Sequence, residues 1–342
     1  MIYYFCPDVT VRSAGIRILY RHVEILLRHG FQAAILHQYT GFQLPDLPSV
    51  PVQYLFGYNT VSPGDIIVIP EGCPRVMEAI KGHPVRRMAI ALNWRVYLSL
   101  LHLEAPDWPA LGIERVLTHS PFIAQFIQWA MQLPVHVFSW GIREDLYFYD
   151  PREKLPQATF LSRKQGEIHE FLRLLYSRNP DFLSRIQWLG LDGLAESDYA
   201  EQIRRSSLFL NLSPAEGLPC SLLEAMRCGT IVAGYNSVGG QRELVGGGPE
   251  QNCILTENLD YVTLARRLEP FLVDLLSGNL ARWEVLRKNG LATAAKHTRE
   301  AEERSVVSLW QTLLQPQATQ MGPNVMVSVP CAVSGGTVTC GR

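Results

Sequence analysis

No apolar run in this sequence approaches the roughly 18 residues needed to cross a membrane, and the opening MIYYFCPD lacks the basic segment and apolar core of a secretory signal. A cytoplasmic protein with at most peripheral membrane contact is the expectation. Charge of one sign is missing too: 31 Lys and Arg stand against 32 Asp and Glu, a formal net charge of −1. With no global field, binding of nucleic acid is not expected. Seven cysteines, Cys6, Cys73, Cys220, Cys228, Cys253, Cys331 and Cys340, are scattered without the paired short spacings of a zinc site. Most read as buried small hydrophobes. A glycine-rich dinucleotide fingerprint is also absent, since VTVRSAGIRIL after the first apolar segment holds a single glycine, and this sets aside a Rossmann dehydrogenase.

What remains is 342 residues at 47% hydrophobic content, enough for two domains with their own cores. The chain opens as strand (2–6), glycine-containing loop (13–15), helix (17–28) and strand (31–37), a parallel βαβ start. Short apolar runs recur at 65–70, 87–92 and 115–118, and Ser120 with Pro121 opens a further helix. An aromatic, charged and unpatterned stretch over 140–156 is the expected crossover. A second series follows, with strands near 158–161, 185–189, 207–212 and 230–234. The expected fold is α/β, two facing Rossmann-like doubly wound domains over residues 1–145 and 156–297. A helix within 298–315, apolar on one face through Val306, Leu309, Trp310 and Leu313, would return to the first domain. Residues 316–342 change composition and read as a loose tail, and a hairpin placing Cys331 opposite Cys340 is disfavoured by Pro330.

The chemistry concentrates in LFLNLSPAEGLPCSLLEAMRCGTIVAGYNSVGGQREL. Pro219 suits a first helical position and Gly229 a terminator, so the spacing predicts a helix over 219–228 whose free amides face the loop carrying Glu216. Unpaired N–H groups and the helix dipole favour an anion there, and a phosphate-bearing ligand is the natural guest.

The pattern S-x-x-E-G-L-P-x-x-x-L-E-A-M-x-x-G, carried by Ser213, Glu216, Gly217, Glu224, Ala225, Met226 and Gly229, resembles the donor signature of retaining nucleotide-sugar glycosyltransferases of the family-4 type, with seven residues between the glutamates. That family has the GT-B fold, two Rossmann-like domains across a cleft. The resemblance implies that Glu224 binds the ribose hydroxyls and Glu216 the donor sugar, that Gly217 and Leu218 offer backbone amides, and that Ser221 and Leu222 belong to the donor pocket. Leu222 serves equally as plain helix packing. Arg163 and Lys164 match the family's diphosphate-binding pair, although here they are adjacent where the family separates them; Arg forks onto two oxygens and Lys supplies a compact charge. Gly15, flanked by Arg12 and Arg17, falls where the family places glycine amides near phosphate or acceptor.

Glu71, Asn93 (followed by Trp94) and His119 stand at carboxyl ends of expected strands, the edge that faces ligand in open α/β sheets. They are candidate acceptor or cleft residues. Two departures from the family are Pro219, in place of a frequent glycine, and the missing histidine near Asn93. No suitably placed D-x-D pair is present, so neither metal nor other cofactor is expected. The implied reaction is transfer of a sugar, with retention, from a nucleoside-diphosphate donor, most commonly a UDP-sugar, to a hydroxyl of a glycan, lipid-linked or small-molecule acceptor. A non-catalytic glycosyltransferase-like binding subunit, or an epimerase or hydrolase on the same scaffold, is the alternative. On the residues alone, Glu224 also reads as a solvated helix residue, Arg163–Lys164 as a basic turn and His119 as a structural histidine.

Overall fold

The computed structural model describes residues 1–9, 13–44, 47–56, 61–95, 107–162 and 168–315. Arg12, Arg163, Lys164 and the tail with its Cys331–Cys340 hairpin lie outside the described residues. The first sheet is built from β1 (Ile2–Phe5), β2 (Ala33–Tyr39), β3 (Val52–Phe56), β4 (Ile66–Pro70), β5 (Arg86–Ile90), β6 (Ile113–Thr118) and β7 (Val135–Val137). Its order is β3-β2-β1-β4-β5-β6-β7 and every pair is parallel, with Ile2 opposite both Ala33 and Ile66. The second sheet has β8 (Leu155–Phe160), β9 (Gln187–Gly190), β10 (Ser206–Asn211), β12 (Ile231–Tyr235) and β14 (Cys253–Thr256), also parallel, in the order β14-β12-β10-β8-β9. A two-stranded ribbon, β11 (Ala215–Glu216) with β13 (Val238–Gly239), stands apart. These are two doubly wound α/β domains.

Helices cover both faces, so the central strands are buried along their length rather than alternating. Every residue of β1, β10 and β12 is buried. In the first domain the main helices are α1 (Ala14–Arg28), α2 (Pro74–Ala79) and α3 (Pro121–Met131). In the second they are α4 (Ile168–Arg178), α5 (Asp181–Ser184), α6 (Glu196–Arg205), α7 (Cys220–Arg227), α8 (Tyr261–Ser277) and α9 (Glu284–Ala294). The last helix, α10 (Arg299–Leu314), leaves the second domain and packs on α1. Its buried Trp310 donates Nε1–H to the Tyr4 hydroxyl at 2.9 Å, and Glu302 accepts from Arg21 at 3.4 Å.

Both doubly wound sheets reverse direction beside their first strand. In the first sheet the chain runs outward through β2 and β3, then returns to the other side of β1 as β4; in the second, β10 returns to the far side of β8. Loops leaving the strands at such a switch open a crevice at their carboxyl ends. Those loops carry Glu71 after β4 and the Glu216 segment after β10. One apolar cluster is continuous across the domains, from Tyr4 and Leu26 through Tyr147 to Leu222 and Val232.

Several boundaries differ from the sequence expectation for local reasons. The first helix begins at Ala14, because Ser13 is its N-cap and accepts the Ile16 amide at 3.3 Å. Gly15 therefore sits in the first turn of α1 and not in a loop. Glu216 belongs to β11, paired with Gly239, where a turn was expected. Pro219 is the N-cap of α7 and not its first residue, so the helix begins at Cys220, one position later than the spacing predicts. The strands β3, β7 and β14 were not anticipated: each lies at or next to a sheet edge, and each has five residues or fewer.

Candidate functional site

Gly217, immediately after β11, packs its backbone against the loop after β5 of the other domain. A Cβ there would lie 2.1 Å from the carbonyl oxygen of Leu92, in the loop after β5, so only glycine fits. Gly240 repeats the arrangement, a Cβ meeting Gly217 O at 2.0 Å and Ser120 Oγ at 2.8 Å. The Trp94 indole crosses the same seam and donates to the Glu216 carbonyl at 3.2 Å. From the second domain, Glu243 accepts from Ser120 Oγ at 2.8 Å and from the Phe122 amide at 2.7 Å, so its carboxylate caps the amino end of α3.

A cavity of about 420 Å³ is lined from both domains, by Arg17 of α1, Tyr147 and Arg143 of the crossover, Glu196 of α6, Glu224 of α7 and Arg299 of α10. The helix α7 owes its placement to the two residues that bracket it. Gly229 takes φ +64°, and a Cβ would lie 2.4 Å from the Tyr149 ring, so glycine both ends the helix and lets the chain pass the crossover. The apolar face of α7, with Leu222, Leu223, Ala225 and Met226, is buried, and Glu224 is held at the cavity wall at only 5% exposure.

Burial pushes the Glu224 carboxyl up to about 7; the Arg17 charge opposes this, Glu196 adds to it, and the hydroxyls of Tyr199 and Tyr147 favour the ionised form. Arg17 meets Glu196 at 2.8 Å, and Arg143 meets the other oxygen of Glu196 at 3.1 Å. Burial works against the Arg17 charge, yet Glu224 and Glu196 together hold its pKa above the ordinary value.

The sequence candidates divide between these two places. Glu224 lines the cavity, with Leu222 fully buried behind it and Ser221 half-buried on the first turn of α7. Glu216 is buried on β11, and Gly217 and Leu218 follow it at the seam. Gly15 faces the same loop, a Cβ standing 3.4 Å from Leu92 Cδ1. Glu71 Oε1 accepts from the Leu92 and Asn93 amides at 3.0 and 2.8 Å, which fixes the loop that presses on Gly217; burial pushes its carboxyl up to about 7 against those hydrogen bonds. Asn93 Oδ1 accepts the Arg95 amide at 3.0 Å. His119 is buried under the cleft edge with its ring centroid 6.0 Å from that of Phe138, and burial lowers its pKa to about 3.

Residues that sequence reasoning passed over are Tyr147, Arg143, Glu196, Tyr199, Glu243 and the paired Gly239 and Gly240. The glycine pair was the available signal: two adjacent glycines after an apolar strand mark close backbone approach. The others act through tertiary contacts that no local pattern encodes. Among the described residues, no group of three or more His, Cys, Asp and Glu side chains is gathered to hold a metal ion, and no helix is long and apolar enough to cross a membrane.

Residues 185–279 match the family described as Glycosyl transferases group 1, a span that includes the β10–β11–α7 unit. No curated protein sequence matches the chain. Among solved structures, sucrose-phosphate synthase from Thermosynechococcus elongatus superimposes with a TM-score of 0.70 at 14% identity, covering 91% of this chain and 98% of that one. A glycosyltransferase from Rickettsia africae ESF-5 gives 0.64 at 14% identity, covering 92% and 98%. Anabaena Alr3699/HepE, in complex with UDP, gives 0.63 at 15% identity, covering 92% and 99%. The chain therefore joins a segment similar to the group 1 glycosyl transferases to the two-domain GT-B fold of these three structures.

Proposed function

We propose that this protein is a retaining glycosyltransferase that moves a sugar from a nucleoside-diphosphate donor to a hydroxyl acceptor without a metal ion. The observation that carries the reading is the interdomain cavity with Glu224 buried at its wall, inside the segment that matches group 1 glycosyl transferases. A carboxylate there can accept both ribose hydroxyls, while the amino end of α7 faces the diphosphate. A uridine carrier is supported by the complex of the similar Anabaena protein with UDP. Arg163 and Lys164, which follow β8 in sequence, would neutralise the departing diphosphate.

In the reaction, the bond from the sugar anomeric carbon to the diphosphate oxygen breaks and a bond to the acceptor oxygen forms on the same face. The acceptor proton passes to the leaving diphosphate. No carboxylate nucleophile is required, only a fixed cleft and stabilisation of the leaving charge. Glu216 and Gly217 would meet the transferred sugar at the seam beside Leu92 and Asn93.

Calorimetry with free UDP together with a transfer assay tests the assignment. Glu224→Gln should weaken UDP roughly tenfold to over a hundredfold, the cost of charge-assisted bonds worth about 1.5 to 3 kcal/mol. Glu216→Gln should leave UDP affinity nearly intact while cutting turnover, because its contact is with the sugar in the transition state. Equal UDP affinity in the wild type and Glu224→Gln would sink the ribose assignment. Turnover should also survive a chelator; loss restored by magnesium or manganese would overturn the metal-free reaction.

A further inference from the structure

The loop after β5 is gripped on one side and presses on the other domain with the opposite side. Strand β4 ends at Pro70, where the chain turns and the Cys73 amide donates to the Pro70 carbonyl at 3.0 Å. The ladder to β5 closes with the Glu71 amide donating to the Ile90 carbonyl at 3.0 Å. Beyond that point a side chain continues the pairing, for the Leu92 and Asn93 amides both donate to Glu71 Oε1, at 3.0 and 2.8 Å. Two successive N–H groups aimed at one point favour an anionic acceptor. Towards the second domain, the Leu92 carbonyl leaves no room for a Cβ at Gly217, and the Trp94 indole donates to the Glu216 carbonyl at 3.2 Å. Asn93 Cα stands 3.4 Å from where that Cβ would be.

We propose that Glu71 is a positioning residue of the transfer reaction, its carboxylate setting the 92–94 loop against Glu216 and Gly217 and so fixing the width of the cleft at the transferred sugar. This rests on the reading of that seam as the sugar site. Glu71 is buried, and the oxygen that serves the loop is occupied by two amides, so its influence passes through the backbone it holds. The role depends on reach more than on charge. A glutamine carbonyl can accept the same two amides, whereas alanine leaves both without an acceptor and aspartate is one methylene too short. Displacement of a reacting group by about 1 Å can cost on the order of a hundredfold in rate. The nucleotide, held at α7, is not touched by this loop.

The Trp94 indole N–H reports the contact without any ligand, its NMR resonance identified by loss in Trp94→Phe. It should exchange slowly with solvent in the wild type, faster in Glu71→Ala, and slowly again in Glu71→Gln. UDP release with water as acceptor is then followed from whichever of UDP-glucose, UDP-galactose and UDP-N-acetylglucosamine the wild type consumes. In Glu71→Ala kcat should fall about a hundredfold with UDP affinity by calorimetry unchanged, and Glu71→Gln should recover most of the rate. Should Glu71→Ala fail to fold, Glu71→Asp replaces it: charge is kept and reach is lost, so exchange should quicken and kcat should drop. Indole exchange unmoved in the folded variants overturns the proposal, as does a rate that follows charge, with Glu71→Asp close to the wild type and Glu71→Gln impaired. A wild type that neither binds UDP nor consumes any of the three sugar nucleotides overturns instead the reading beneath it, and the two failures are told apart because the indole measurement needs no ligand.

Discussion

Two histidine rings stand beside the Phe138 ring: His22 at 4.5 Å between centroids and His119 at 6.0 Å. His22 bonds through Nδ1 to the Tyr4 hydroxyl at 3.1 Å, while its Nε2 and the Nδ1 of His119 are buried without a partner among the described residues. Burial lowers both to about 3, far below the ordinary value near 6.5. The unfolded chain therefore binds protons that the folded chain refuses, and stability complete above about 6.5 drains away as pH falls towards 3. His119→Met should melt within a few degrees of the wild type at pH 7.5 and lose less between pH 7 and pH 5. Identical acid losses in the two proteins would remove His119 as a source of the acid limb. The sequence showed that His119 ends an apolar strand, but not which way its ring turns, because that depends on Phe138 and α1 from elsewhere in the chain.

Elements built from local chemistry were the legible ones. Pro219 and Gly229 bracket α7 to within a residue or so, since a fixed φ and a left-handed glycine need no partner to mark a helix end. Ser120 with Pro121 likewise announces α3. What the sequence hides is that α3 has a second cap. Glu243 reaches its amino end from the opposite domain, and nothing near residue 243 points to residue 120. Removing it as Glu243→Ala should cost about 1 kcal/mol as a lost helix cap, with Ser120 still bound to the Ile123 amide. The denaturation midpoint reads this, and small-angle scattering should show a more open particle. An unchanged midpoint and unchanged dimensions would mean that the capping contact does not hold the domains together.

The whole molecule is held by two chain passages lying side by side. Ile142 of the outward crossing bridges to Thr298 of the return, and a Cβ at Gly141 would meet the Thr298 carbonyl at 2.7 Å. Truncation after Gln315 should leave melting temperature and UDP affinity unchanged, while truncation ahead of Arg299 should remove α10 and collapse the first domain. Equal effects would contradict the role given to that helix. The bond from Trp310 to Tyr4 joins positions 306 apart in sequence. During synthesis at about 5–20 residues per second, Tyr4 waits roughly 15–60 s for that partner. The second domain, whose strands β8 to β14 follow one another without interruption, can close within that interval. The strand made first thus gains its last partner only after every strand of both sheets has been made.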